Sequence, residues 1–142
     1  MPDKNDLEAT RRLRSSVTLV DMNAAITRLG GSRTFYDKVV ASFREEVAHY
    51  MVDLQRFLAE GDYHHAMHRV HTLKGLAGTV GATALSVRAA QFEALLNPWQ
   101  DAAASEQPTV AERASIAHLL QPLELEMTQT LDALDQLPRE PL

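Results

Sequence analysis

The sequence predicts an all-α protein, an antiparallel up-down four-helix bundle with a short extra N-terminal helix. Three observations point there. Apolar residues recur every three or four positions through most of the chain, as they do on helices with one buried face. No segment alternates apolar and polar residues with period two over a strand's length. The long periodic stretches are joined mostly by short connections, which favours antiparallel neighbours.

Asp21 is a good N-cap for a short helix whose Met22, Ala25, Ile26 and Leu29 share a stripe, and Gly30-Gly31 stops it. Ser32 caps the next helix, which runs to about Ala59 with a seam of Phe35, Val39, Phe43, Val47, Tyr50, Leu54 and Leu58. Gly61-Asp62 ends that helix and caps a third, where Tyr63, Ala66, Val70, Leu73, Ala77 and Val80 repeat at steps of three and four until Gly81. A fourth carries Leu85, Ala89, Phe92 and Leu96 and ends before Asn97-Pro98, because a residue preceding proline is pushed out of the α region. Asn97 to Pro108 reads as a loop, with the single tryptophan, Trp99, packing over the bundle end. Thr109 and Glu112 form a capping box for the last helix, striped by Ile116, Leu120, Leu123, Met127, Leu131 and Leu134. Pro122 lies inside it and predicts a bend, not a break. The helix at 21–29 is expected across one end of the bundle. Residues 1–20 read as a tail or interdomain linker without a core role, 21–137 as the bundle and 138–142 as a C-terminal tail.

The bulk composition narrows the function classes. A chain of 142 residues, 45% hydrophobic, supports one core. Its 14 basic and 19 acidic residues give a formal net charge of −5, which argues against capture of nucleic acid or of an anionic membrane. A protein partner or small ligand fits better. With no cysteine, disulfides and thiolate chemistry are excluded, and a reducing, cytoplasmic setting is compatible. No apolar run approaches the length needed to span a bilayer.

The chemistry lies on the third helix. Shifting its apolar stripe by one residue gives a second stripe of His64, Met67, His68, His71, Lys74, Gly75 and Gly78, about 100° around from the core seam. A glycine in a helix interior costs roughly 1 kcal/mol relative to alanine, and this helix accepts two on the histidine's own side. The stripe is therefore built for close approach. On the fourth helix Glu93 is offset from the core residue Phe92 by the same angle and is placed to reach the His71 imidazole. These parts suit phosphoryl transfer. A neutral imidazole nitrogen attacks phosphorus while a carboxylate holds the proton on the other nitrogen, and Lys74 offsets charge on the phosphoryl oxygens. No phosphate-binding glycine loop and no acidic cluster for Mg²⁺ accompanies them, so ATP-dependent kinase activity is not expected.

The string His71-Thr72-Leu73-Lys74-Gly75, followed by Gly78 and by Val80-Gly81-Ala82, resembles the active helix of histidine-containing phosphotransfer (HPt) domains of bacterial phosphorelays. The similarity extends to Leu29-Gly30-Gly31, Ala59-Glu60-Gly61-Asp62 and Phe92-Glu93, and covers roughly residues 20–137. It implies a monomeric bundle whose His71 accepts a phosphoryl group from one receiver-domain aspartate and passes it to another. Lys74 would contact the phosphoryl group, Gly75 would clear space for the receiver, and Glu93, at a position commonly Gln or Glu, would bond the second imidazole nitrogen. Mg²⁺ would come from the receiver, leaving this chain without a cofactor of its own. Many relatives have a proline near Val47; its absence leaves open whether residues 33–59 form one helix or two.

The docking face would centre on His71 and include His64, Met67, His68, Gly75, Leu76 and Gly78, forming a small interface of roughly micromolar affinity. Other readings compete. His64 and His68 at i, i+4, His68 and His71 at i, i+3, and Glu46-x-x-His49 suggest a metal-binding bundle, but a second Glu-x-x-His is lacking. A receiver-docking adaptor without phosphotransfer is a third reading. Glu93 also has competing partners in Arg88 and Lys74.

Overall fold

The structure, a computed structural model, describes residues 19–101 and 107–137. The N-terminal tail before Leu19, the middle of the 97–108 loop and the tail at 138–142 lie outside the described residues. The helices are α1 (Met22–Arg28), α2 (Arg33–Ala59), α3 (Tyr63–Thr79), α4 (Thr83–Leu96) and α5 (Val110–Asp135), with a single 3₁₀ turn at Asn97–Trp99. No strand occurs among the described residues. Each long helix packs on its neighbours in the chain, and α2 also touches α5, which closes the four-helix ring. The expected bundle is what forms.

Local signals start and stop the helices where the sequence places them. Asp21, Ser32 and Asp62 each accept a backbone N–H of their own first turn, at 3.1, 3.1 and 3.2 Å. Thr109 and Glu112 close a reciprocal capping box at 3.1 and 2.9 Å. At the far end of α3, Ala82 N–H donates to Ala77 and Gly81 N–H to Gly78, a Schellman ending with Gly81 at φ +86°. Gly81 is required twice over, because a Cβ there would also lie 2.4 Å from the Asp21 carbonyl oxygen. Helix α2 is one helix throughout, so the missing proline near Val47 leaves it uninterrupted. Helix α5 likewise continues through Pro122, and the carbonyl of exposed His118, deprived of its amide, can turn to water.

The core stripes of α3 and α4 are buried at every expected position. On α2 the seam differs at its start: Phe35 is 49% exposed and Tyr36 is buried in its place. At 100° per residue, Tyr36 sits only about 20° from Phe43, seven residues on, whereas Phe35 is about 80° away. Its phenol OH also finds a buried acceptor, the Val80 carbonyl, at 2.9 Å. The absence of a core role before residue 21 is corrected as well, since Val20 is buried and Leu19 packs against the core. Asp21 N–H donates to the Gly81 carbonyl at 2.8 Å, which pulls Val20 in beside the end of α3. The loop expected from Asn97 begins instead as the 3₁₀ turn, where Pro98 falls in a first turn that needs no amide from it. Trp99 is partly buried against the core, its ring centroid 6.2 Å from that of Tyr63.

Burial pushes the Tyr36 phenol up from 10.0 to about 12. A proton held more tightly in the folded state stabilises the fold below the unfolded value of 10.0, and that contribution is lost as pH rises towards about 12. Urea unfolding followed between pH 9 and about 12 should therefore show an alkaline loss of stability that Tyr36→Phe reduces, the remainder coming from groups such as Tyr50, whose phenol is also raised by burial. At neutral pH the same variant should be less stable by about 1–3 kcal/mol, because the buried Val80 carbonyl loses its partner.

Candidate functional site

Helix α3 is anchored along one edge by Tyr63, Ala66, Val70, Leu73, Ala77 and Val80, all buried. Residues one position further round are lifted to the surface by the helical period. The His71 side chain is 62% exposed, while Glu93 on α4 is only 16% exposed and lies against it. Oε1 of Glu93 is 2.8 Å from His71 Nδ1, and Oε2 is 2.9 Å from Lys74 Nζ. The two partners that competed for this carboxylate in the sequence are bound at once, one to each oxygen. Arg88, the third candidate, does not share this carboxylate, and its Nε is buried without a hydrogen-bond partner.

Burial alone would raise the Glu93 carboxyl, but the hydrogen bonds and charges of Lys74 and His71 outweigh it and hold the group below its ordinary 4.5. At neutral pH it is an anion. A carboxylate can only accept, so the proton between it and His71 belongs to Nδ1, and the lone pair of a neutral ring is left on Nε2.

Around this triad His64, His68 and Gly75 are exposed, and Met67, Leu76 and Gly78 are partly buried. A Cβ added at Gly75 would meet nothing within 4 Å, so nothing in this chain's own packing demands a glycine there. Gly78 instead stands against α4, where a Cβ would lie 3.8 Å from Ser86 Oγ, and its carbonyl accepts from Arg28 at 3.0 Å. A shallow groove of about 330 Å³ runs beside the triad, lined by Met67, Lys74, Ala90, Glu93, Ala94 and Asn97. Ala90, Ala94 and Asn97 were not evident in the sequence, although they share with Glu93 the stripe one residue round from Ala89, Phe92 and Leu96. Short side chains there have no chemistry to announce them.

The metal-bundle reading lacks a ligand set: among the described residues no three His, Cys, Asp or Glu side chains converge as metal ligands. Glu46 accepts the Tyr50 hydroxyl at 2.9 Å, and His65 is stacked on Phe57 and bonded to the cap residue Asp62 at 2.7 Å. Helix α3 carries Arg69, Lys74 and four histidines but no carboxylate, in contrast to the net negative charge of the chain.

The structure thus places an exposed histidine, held by a carboxylate and flanked by a lysine, on one helix of a four-helix bundle. A family model described as the Hpt domain matches residues 38–137, and the chain belongs to that family. Its members are phosphocarriers of phosphorelays and not kinases, and they interact with receiver domains. No curated protein and no solved structure matches the chain. No helix among the described residues is long and apolar enough to cross a membrane.

The lowered Glu93 carboxyl has a signed consequence. Its contribution to stability is complete above pH 4.5 and is lost as pH falls through the lower folded value. Carbon-13 titration of the Glu93 carboxyl should place its midpoint below 4.5, and Lys74→Ala should move that midpoint up.

Proposed function

We propose that His71 is the phosphoacceptor, reacting through Nε2, and that the chain takes a phosphoryl group from the aspartyl phosphate of one receiver domain and gives it to the aspartate of another. The observation that carries this reading is the Nδ1–Glu93 bond at 2.8 Å beneath an exposed ring. The Nε2 lone pair attacks phosphorus, the bond from phosphorus to the aspartyl oxygen breaks, and the aspartate leaves as a carboxylate. The ring becomes a phosphorylated imidazolium. Its positive charge faces the Glu93 anion, which retains the Nδ1 proton by hydrogen bonding and so stabilises the developing cation. Return of the group to a second aspartate reverses these bonds and leaves His71 neutral.

Lys74, one turn on from His71 and 34% exposed, is parked on Glu93 and reaches the phosphoryl oxygens by rotating its flexible stem. Gly75 leaves the space a receiver loop needs beside the imidazole. Mg²⁺ and the acidic residues that bind it belong to the receiver, so this chain supplies an oriented nucleophile and its charge compensation. We place the carrier in the cytoplasm as a monomer that docks receivers transiently, because a station that must hand on its cargo has to let its partner go.

Incubation with a phosphorylated receiver should give wild-type protein an acid-labile, base-stable label, and His71→Gln should take none. Labelling of His71→Gln at the wild-type level would overturn the assignment. Glu93→Gln, whose amide oxygen still accepts from Nδ1, should retain most of the transfer rate, whereas Glu93→Ala should be about a hundredfold slower. Gly75→Ala separates folding from docking. It should stabilise the bundle by up to about 1 kcal/mol, since alanine is the better helix former, while weakening receiver binding in titration.

A further inference from the structure

Ser86, in the first turns of α4, donates its hydroxyl to the main-chain carbonyl of Lys74 at 3.0 Å. That bond is partly buried and joins the two helices that carry the triad. Its neighbour across the interface is Gly78, where an added Cβ would lie in ordinary van der Waals contact with Ser86 Oγ, at 3.8 Å. Gly78 is seven residues after His71, and Ser86 is seven before Glu93. In antiparallel helices those equal steps put Gly78 opposite Ser86 and His71 opposite Glu93, two contacts about 10 Å apart along one interface. Between them, α4 grips Lys74 at both ends, its carbonyl through Ser86 and its ammonium through Glu93.

We infer that Ser86 is a positioning residue for phosphotransfer: its bond to the Lys74 carbonyl sets the axial register of α4 on α3 that brings the Glu93 carboxylate to His71 Nδ1. The inference rests on His71 being the phosphoacceptor, but its main readout does not. A slip along the helix axis by one residue's rise of about 1.5 Å would stretch this 2.8 Å contact, which lies across the axis, to about 3.2 Å, the outer edge of ordinary N–H···O range, and tilt it out of line. The core residues Leu85, Ala89, Phe92 and Leu96 hold α4 against the bundle, but apolar contacts tolerate such a slip better than a directional bond does.

The experiment is nitrogen-15 NMR of the His71 imidazole in the unphosphorylated protein. Wild type should show the Nδ1–H tautomer with its proton protected from solvent. Ser86→Ala should shift population towards Nε2–H and speed exchange of the Nδ1 proton by about two- to tenfold, the range expected from one neutral hydrogen bond. Its transfer rate should fall by a similar factor with receiver affinity unchanged. Gln55→Ala removes another cross-helix side-chain bond, from α2 to Glu124 of α5 at 2.8 Å, away from the triad, and should leave the His71 signals as in wild type. Unaltered tautomer and exchange in Ser86→Ala, or an equal change in Gln55→Ala, would overturn the inference. Failure of wild type to take label would overturn the phosphoacceptor reading alone.

Discussion

Helix α3 has to be buried firmly along one edge and bare along the next, and the rest of the structure follows from that constraint. Six apolar residues from Tyr63 to Val80 supply the anchor, and each is fully or almost fully covered by the other helices. The 100° step between successive residues then lifts His71 clear of the core without any break in the helix. A histidine on a loop would be as exposed, but its ring orientation would be set by the loop's own motions. Here the ring stands on a packed rod, and a carboxylate from the adjacent rod holds its inner nitrogen.

The far end of α3 shows how the chain secures that rod. Helix termini leave carbonyls without intrahelical partners. Gly78, Val80 and Gly81 offer theirs to Arg28, Tyr36 and the amide of Asp21, contributed from α1, the first turn of α2 and the N-cap of α1. These donors precede residue 38, where the family match begins. The N-terminal segment is thus part of the support for α3, which is why Val20 is drawn into the core although nothing in its own neighbourhood marks it as a core residue.

Much of this was legible in the chain. The caps at Asp21, Ser32, Asp62 and Thr109 act within four residues of sequence, so local chemistry alone locates them. The stripes of α3 and α4 were legible for a related reason: a helix with one apolar face repeats that face in its own sequence. Legibility failed where neighbours in space decided. Phe35 and Tyr36 are both large aromatics one residue apart, and the choice between them depends on the phase of the seam and on an acceptor 44 positions away at Val80. Trp99 could be placed over the bundle end, but the 3₁₀ turn that carries it there could not be read from an Asn-Pro pair that also suits a plain loop.

The site divides in the same way. His71, Lys74 and Gly75 lie within one turn of one helix, so their sequence spacing was already a spatial arrangement. Glu93 lies on a different helix, and its distance from His71 depends on how α4 sits along α3, a quantity absent from the periodicity of either helix. Sequence reading could bring the carboxylate to the right face but could not choose among His71, Lys74 and Arg88. The tertiary structure decided it by giving one oxygen to the imidazole and the other to the ammonium. What the sequence determined by itself is the α-helices, most of their buried positions and the residue types brought together on α3, because those follow from contacts within one helix. Only the packing of helix on helix decided the register at which that chemistry is assembled.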